Sequence, residues 1–467
     1  PSRIHSLNNS THAMKTTPDT PAARNTKSDL GMRLLLILCV LLPLVILFLL
    51  PHGGLMPGGM FFWMGLLLCY WMISLFIGMG SNAADTPPPL PTTRLLPETE
   101  QPATIKELMD VRFAEEDNGV RVFRGRLREP AAAAYAKLKH ALGADSTPLL
   151  QADEQFGAAI LLAPEPVERT VAEQPARPWM NGALFALTIV TTTWAGAAHQ
   201  GVDLLREPGR FTVGLPYALG LMLILLVHEL GHYFMARHHR IRVTLPYFIP
   251  VPFALGTFGA FIGMRSPAET RRALFDVAVA GPLAGLVIAI PALMIGLRSS
   301  VVVVVTEPVA GMMHGGTSIG SSVLLAFLAK LSLGTELLDG HLLQLSPLAF
   351  AGWLGLMVTA LNLLPIGQLD GGHIAHAMFG RRAGDTIGSV AMWTLLLLGL
   401  FVWPGLLMWA LIVFFIAGRA APPLDDLTPL SPSRRCLGYV AFTILALILT
   451  PLPHKLWEAV GIHCPYM

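Results

Sequence analysis

The sequence predicts an all-α polytopic membrane protein of about nine spans, with a re-entrant loop and a small α+β insert on the cytoplasmic side. Three observations predict it. Of 467 residues, 53% are hydrophobic and 13% charged, and the mean hydropathy is +0.57, too oily for an ordinary soluble chain. Apolar runs of spanning length recur, with arginines gathered at alternate ends of them. Residues 81–178 break this pattern and hold most of the clustered acidic residues.

The net charge of +2, with basic residues dispersed in short groups, excludes a nucleic-acid partner. Of the four cysteines, Cys39 and Cys69 lie in apolar runs and Cys436 opens another, which suggests neither a disulfide framework nor a Cys-rich zinc knuckle.

In chain order, residues 1–31 are polar and read as a disordered arm, of which about the first dozen are set aside as tag or upstream sequence. Residues 32–80 form a transmembrane hairpin, Leu34–Leu50 and Met60–Gly78, around the turn Pro51-His52-Gly53-Gly54. The 81–178 insert opens on a Pro-rich linker. Within it Val120–Leu127, Thr147–Ala152 and Gly157–Ala163 read as strands, and Ala131–Leu142 as an Ala-rich helix. Residues 179–420 then form a membrane core with spans from Trp179, Val213, Ala273, Pro347, Ile387 and Gly405. Residues 421–467 supply a last span, Leu437–Leu449, and a tail.

The core is organised around Leu221–Arg240, which sets His228-Glu229-Leu230-Gly231-His232 in an oily run. Residues four apart share a helix face about 6 Å apart along the axis, so both imidazoles can address one metal ion. Glu229 lies beside them, placed to take a proton from water acidified by zinc. Ionisable groups at bilayer depth are costly and mark function by default. Arg237, Arg240 and Arg242 follow, which puts the site near the cytoplasmic face.

Residues 244–266, rich in proline and glycine, cannot form a regular spanning helix. They begin and end beside arginines and read as a re-entrant loop that dips toward the metal and returns. Alternation over Gly256–Ile262 suggests extended backbone able to pair with an unwound substrate. Gly281 and Gly285 have the small-xxx-small spacing of a close helix contact. A tetrahedral catalytic zinc needs a third protein ligand, and Asp370, at the cytoplasmic end of the span from Pro347, is the choice. His373 and His376 are rivals ranked below it because they follow the turn.

With His228-Glu229-x-x-His232 in one span and Asn362-Leu-Leu-Pro365-Ile-Gly-Gln-Leu-Asp370-Gly371 in a later one, the chain resembles the site-2 proteases over residues 180–420. The loop Gly256–Pro267, Ala280–Gly285 and Leu348–Leu356 resemble most the plant-chloroplast and cyanobacterial branch. The resemblance implies an intramembrane zinc endopeptidase with one zinc ion on His228, His232 and Asp370, and Glu229 as general base. It also implies Asn362 as a donor to the oxyanion or to substrate backbone, and Gly256 and Gly259 in a loop that pairs with substrate.

The implied partners are the lipid bilayer and a membrane protein with a single transmembrane helix. The chain departs from the family in lacking a PDZ module between the catalytic spans, which leaves the insert to size substrates, and in having Ser346 where the branch suggests histidine. No transit peptide is read in the arm, so a bacterial inner membrane is the expected location, with the active site near its cytoplasmic face. The alternative is a transporter or metal-handling protein with a broken-helix site, which leaves Glu229 without a task.

Overall fold

The computed structural model describes residues 94–117, 119–142, 146–163, 178–251, 254–304, 322–333, 341–401, 409–410, 413–414, 418 and 422–450. The N-terminal arm, the hairpin over 32–80 and most of the span from Gly405 lie outside them.

The insert begins with β1 (Arg94–Leu95), α1 (Ala103–Leu108), β2 (Met109–Asp117) and β3 (Val120–Leu127), then α2 (Ala131–Leu142), β4 (Thr147–Asp153) and β5 (Gly157–Ala163). The strands form one antiparallel sheet in the order β1-β2-β3-β5-β4. Its inward residues Phe123, Leu150 and Ile160 pack with Ile105 and Leu108 of α1 and Leu138 of α2 into a closed core. β3, α2 and β5 fall where the sequence pattern puts them, and β4 ends one residue beyond. β2 does not: Asp110, Arg112, Glu115, Glu116 and Asp117 mask its alternation.

The membrane part comprises α3 (Pro178–His199), α4 (Leu215–His238), α5 (Arg271–Arg298), α6 (Val323–Leu333), α7 (Pro347–Leu363), α8 (Asp370–Phe379), α9 (Arg381–Phe401) and α10 (Pro432–Leu449). Two β-hairpins interrupt it: β6 (Tyr247–Pro250) with β7 (Thr257–Phe261), and β8 (Val301–Val304) with β9 (His341–Gln344). Among the described residues α4, α5 and α10 are long and apolar enough to cross a membrane, and α6 and α7 are shorter apolar helices. The chain is thus a mostly helical membrane protein with a small antiparallel sheet. α3, expected as a span, is diluted by Thr188, Thr191, Thr192 and Thr193. Their hydroxyls bond back to carbonyls one turn earlier, which satisfies them without water.

α4, α5 and α7 form the centre. Thr270 caps α5 by accepting from the Ala273 N–H, and Ser346 caps α7 by accepting from the Ala349 N–H at 3.2 Å. Ser346 also donates to the Gly296 carbonyl at 2.7 Å, so it locks the start of α7 to the end of α5.

The loop over 244–266 is extended, as the alternation suggests, but it does more than dip toward the metal. Its base is closed where Arg265 donates to the Arg242 carbonyl, beside the end of α4. Its tip reaches Leu255, whose carbonyl accepts from the Tyr217 hydroxyl at 2.8 Å, near the start of α4. From Tyr217 to Ala236 α4 rises on the order of 30 Å, so the hairpin runs along nearly the whole helix. α3 fixes it from behind: Asn181 donates to the Leu245 and Pro246 carbonyls, and Thr191 to that of Gly256. Gly256 has φ +80°, and a Cβ there would lie 2.5 Å from the Thr192 Cα, so only glycine fits.

The arginine-bearing ends of the helices form one polar layer. His239, after α4, bonds Asp276 of α5, which also takes both Nε and Nη2 of Arg434 from α10. Nearby, the buried Asp426 carboxylate accepts from Arg271 Nε at 2.8 Å and lies 3.2 Å from His376 Nε2. Burial alone pushes the Asp426 carboxyl up, but the hydrogen bonds from His376 and Arg271 outweigh it and hold the group below the usual carboxylate range. A carboxyl depressed below its unfolded value of about 3.9 adds stability above that pH and loses it as pH falls through the folded value. Thermal stability is therefore expected to drop between about pH 5 and pH 2. Asp426→Asn should be less stable than wild type at pH 7 and show a shallower acid slope, which melting curves across that range would check.

Candidate metal centre

Helical spacing on α4 brings His228 and His232 to one face, with their Nε2 atoms 3.2 Å apart. Asp370 opens α8, where the turn Asp370-Gly371-Gly372 starts the helix directly against the end of α7. A Cβ on Gly371 would collide with the Leu363 carbonyl oxygen. The Asp370 Oδ2 lies 3.3 Å from His232 Nε2 and 3.7 Å from His228 Nε2. Among the described residues these three form the group of donors able to hold a metal ion.

The donor set fits zinc. Four ligands at about 2.0–2.1 Å around a tetrahedral zinc stand about 3.3 Å apart, close to all three observed separations. The tautomer also fits: His232 Nδ1 lies 2.9 Å from the Val277 carbonyl and donates to it, leaving the Nε2 lone pair directed at the centre. Without an ion, two imidazole nitrogens and a carboxylate would be held together in a buried site with few protons to share.

The room for the rings comes from α5. A Cβ on Gly281 would overlap the His232 ring, and one on Gly285 would stand 3.1 Å from His228 Nδ1. The small-residue spacing therefore serves the expected close helix contact, and what occupies the gap is the pair of ligand rings.

Asn362, in the last turn of α7, points its side-chain amide nitrogen at His228 Nε2, 3.1 Å away. Glu229 is buried, 5% exposed, and the Ile262 backbone, just past β7, lies near its carboxylate. Gly256 sits at the hairpin tip, away from the three donors. Gly259 lies within β7 at φ +98° with open space where a Cβ would project. His376 is engaged by Asp426, and neither it nor His373 contributes to the cluster. Asp426 escaped the sequence reading, because its partners Arg271 and His376 are distant in the chain.

Residues 216–402 match the sequence model of peptidase family M50. Over this stretch the chain is similar to an M50 peptidase domain. Its similar curated proteins include "Probable zinc metalloprotease EGY1, chloroplastic" of Arabidopsis thaliana, 36% identical over 53% of this chain and 45% of that one. "Probable zinc metalloprotease EGY2, chloroplastic" of Arabidopsis thaliana is 29% identical over 71% of this chain and 60% of that one. The EGY1 protein of Oryza sativa subsp. japonica is 33% identical over 53% and 42%. The chain spans about half the length of these relatives. The M50 match runs from the second residue of α4 to the end of α9, and so includes both histidines, the hairpin and Asp370.

The close approach at Gly281 is directly testable. Gly281→Ala is expected to weaken zinc binding by about tenfold or more, with helical content retained. Undiminished zinc in the purified variant, measured by elemental analysis after dialysis against chelator, would contradict the cradle.

Proposed function

We propose that the protein is an intramembrane zinc endopeptidase that cuts transmembrane segments of other membrane proteins. The observation that supports it most is the largely buried three-donor cluster with zinc-like spacing, in a chain segment that also carries a buried glutamate. His228, His232 and Asp370 would hold one zinc ion. When bound, zinc supplies Lewis acidity and lowers the pKa of water to about 7.

The chain's own residues do the rest. Glu229 takes a proton from the attacking water and returns it to the leaving amine. The Asn362 amide, beside the cluster, donates to the developing oxyanion. Among the described residues β7 pairs only with β6, and the Ile262 backbone just past it lies near Glu229. That edge takes an unwound substrate segment as an added strand, with Gly256 closing the hairpin tip and Gly259 leaving the strand open to approach.

The client is a membrane protein with a single transmembrane helix, and the insert positions it, since no PDZ module lies in the core. The full topology is about nine spans, with the arginine layer and the insert in the cytoplasm or its organellar equivalent. A bacterial inner membrane is retained as the proposed location, beside relatives whose names place them in the chloroplast. Nothing favours the transporter alternative.

The test is cleavage of a single-span membrane substrate by wild type, Glu229→Gln and Asp370→Asn, with zinc measured in each. Glu229→Gln should lose about 10²-fold or more in rate and keep its zinc, whereas Asp370→Asn should lose both. Cutting that survives Glu229→Gln would refute the mechanism. Zinc that survives Asp370→Asn would redirect the third ligand to His373 or His376. A second comparison addresses the client: a substrate with glycine or proline near the cytoplasmic end of its span should be cut faster than a polyleucine span, and equal rates would count against unwinding.

A further inference from the structure

Asp425 and Asp426 are both buried, at 1% and 3% exposure, yet they face different partners. Asp425 folds its own turn: its carboxylate accepts from the Leu427 and Thr428 N–H groups and from the Thr428 hydroxyl at 2.5 Å. Asp426 looks the other way. One oxygen, Oδ1, meets both Arg271 Nε and His376 Nε2.

The backbone around this pair is a clasp. On one side the Leu150 N–H donates to the Leu424 carbonyl at 2.7 Å and the Asp426 N–H to the Leu150 carbonyl at 2.9 Å, which ties the segment to the edge of β4. On the other side Leu424 and Asp425 donate to the Ala268 and Glu269 carbonyls, just ahead of α5. Leu424 and Leu427 pack into the insert's core, and Lys139 of α2 reaches Glu269 at 2.6 Å. The insert, the start of α5 and the clasp are thereby joined, and the Asp426 side chain extends from that junction to α8.

α8 has ten residues, too few to hold its place by intrinsic helix stability. Asp370 is its first residue and His376 lies six positions on, about 9 Å along the axis. Arg271 also lies against the helix end, since a Cβ on Gly380 would be 3.2 Å from its Nη2. A cation there suits the carbonyl end of a helix. The far end of α8 is thus anchored to α5, the helix whose glycines seat the two imidazoles.

We propose that Asp426 is a positioning residue for the metal centre, holding α8 through His376 and Arg271 so that Asp370 meets His228 and His232, and that this links the insert mechanically to the site. The inference rests on the reading of those three residues as a zinc site.

The test uses the full chain, purified in detergent with lipid, for wild type, Asp426→Asn, Asp426→Glu, His376→Gln and Thr428→Val. Zinc affinity is read by graded chelator challenge, stability by thermal unfolding, and activity as kcat and KM on the single-span substrate. Asp426→Asn and His376→Gln should weaken zinc binding by about fivefold, less than the 10–100-fold typical of groups bonded directly to a ligand. Their kcat should fall with KM little changed, and Asp426→Glu should recover part of both. Thr428→Val, which disturbs the Asp425 turn alone, should lower stability and leave zinc affinity intact. If Asp426→Asn does not fold, His376→Gln carries the same comparison. Unchanged zinc affinity in the folded variants, or an equal loss in Thr428→Val, would overturn the positioning role. A wild-type chain that binds no zinc would instead overturn the metal reading, and this inference with it.

Discussion

The constraint on which the structure depends is the burial of two imidazoles and two carboxylates at the centre of an apolar helix bundle. Such groups are costly in a low-dielectric interior unless paired or metal-bound, and the surroundings are arranged around that cost. The Val277 carbonyl fixes one imidazole, Asn362 stands beside the other, and Asp370 is delivered by a separate short helix. Helix α5 can approach only because Gly281 and Gly285 leave space for the rings. The packing of α4, α5 and α7 is therefore inseparable from the site.

The second constraint is backbone satisfaction. Extended chain at bilayer depth must find hydrogen-bond partners without water. The β6–β7 hairpin meets this along its inner edge by pairing with itself, along its back through Asn181 and Thr191 of α3, and at its tip through Tyr217 of α4. One of the threonines of α3 that weaken its hydropathy, Thr191, also supports the hairpin. Asn181 and Thr191 thus explain why a helix beside the loop is less apolar than its neighbours.

Much of this was legible because it is local. His228 and His232 are one helical turn apart, and their ligand geometry follows from spacing alone. The alternation of Val120–Leu127 and the Pro and Gly density of 244–266 also report directly on backbone. Asp370 required one tertiary assumption, that two spans meet at the same depth. The Asp425-Asp426 clasp was not legible, since nothing near it in sequence distinguishes an inward acid from a loop turn. β2 was missed for a different reason: charges on its solvent face hid the strand, although Asn118-Gly119 is a strong hairpin signal. The depth of the hairpin was hidden too, because only Tyr217, ahead of the motif, reveals where the tip ends.

The edge of β7 that is unpaired among the described residues bears on how a helix becomes a substrate in the proposed reaction. A peptide bond within a transmembrane helix is shielded by its neighbours, and opening it in lipid exposes amide groups at several kcal/mol each. In water that exposure would be repaid by solvent, and in hydrocarbon it is repaid only by another backbone. An extended edge whose following residue, Ile262, lies near Glu229 would offer such a backbone beside the metal donors. Unwinding is then least costly where the hydrolytic groups stand. In the proposed reaction, selection among clients would fall on how readily a helix opens over the few residues that pair with β7, and the large exposed Phe258 and Phe261 on that strand would limit which side chains lie flat against it.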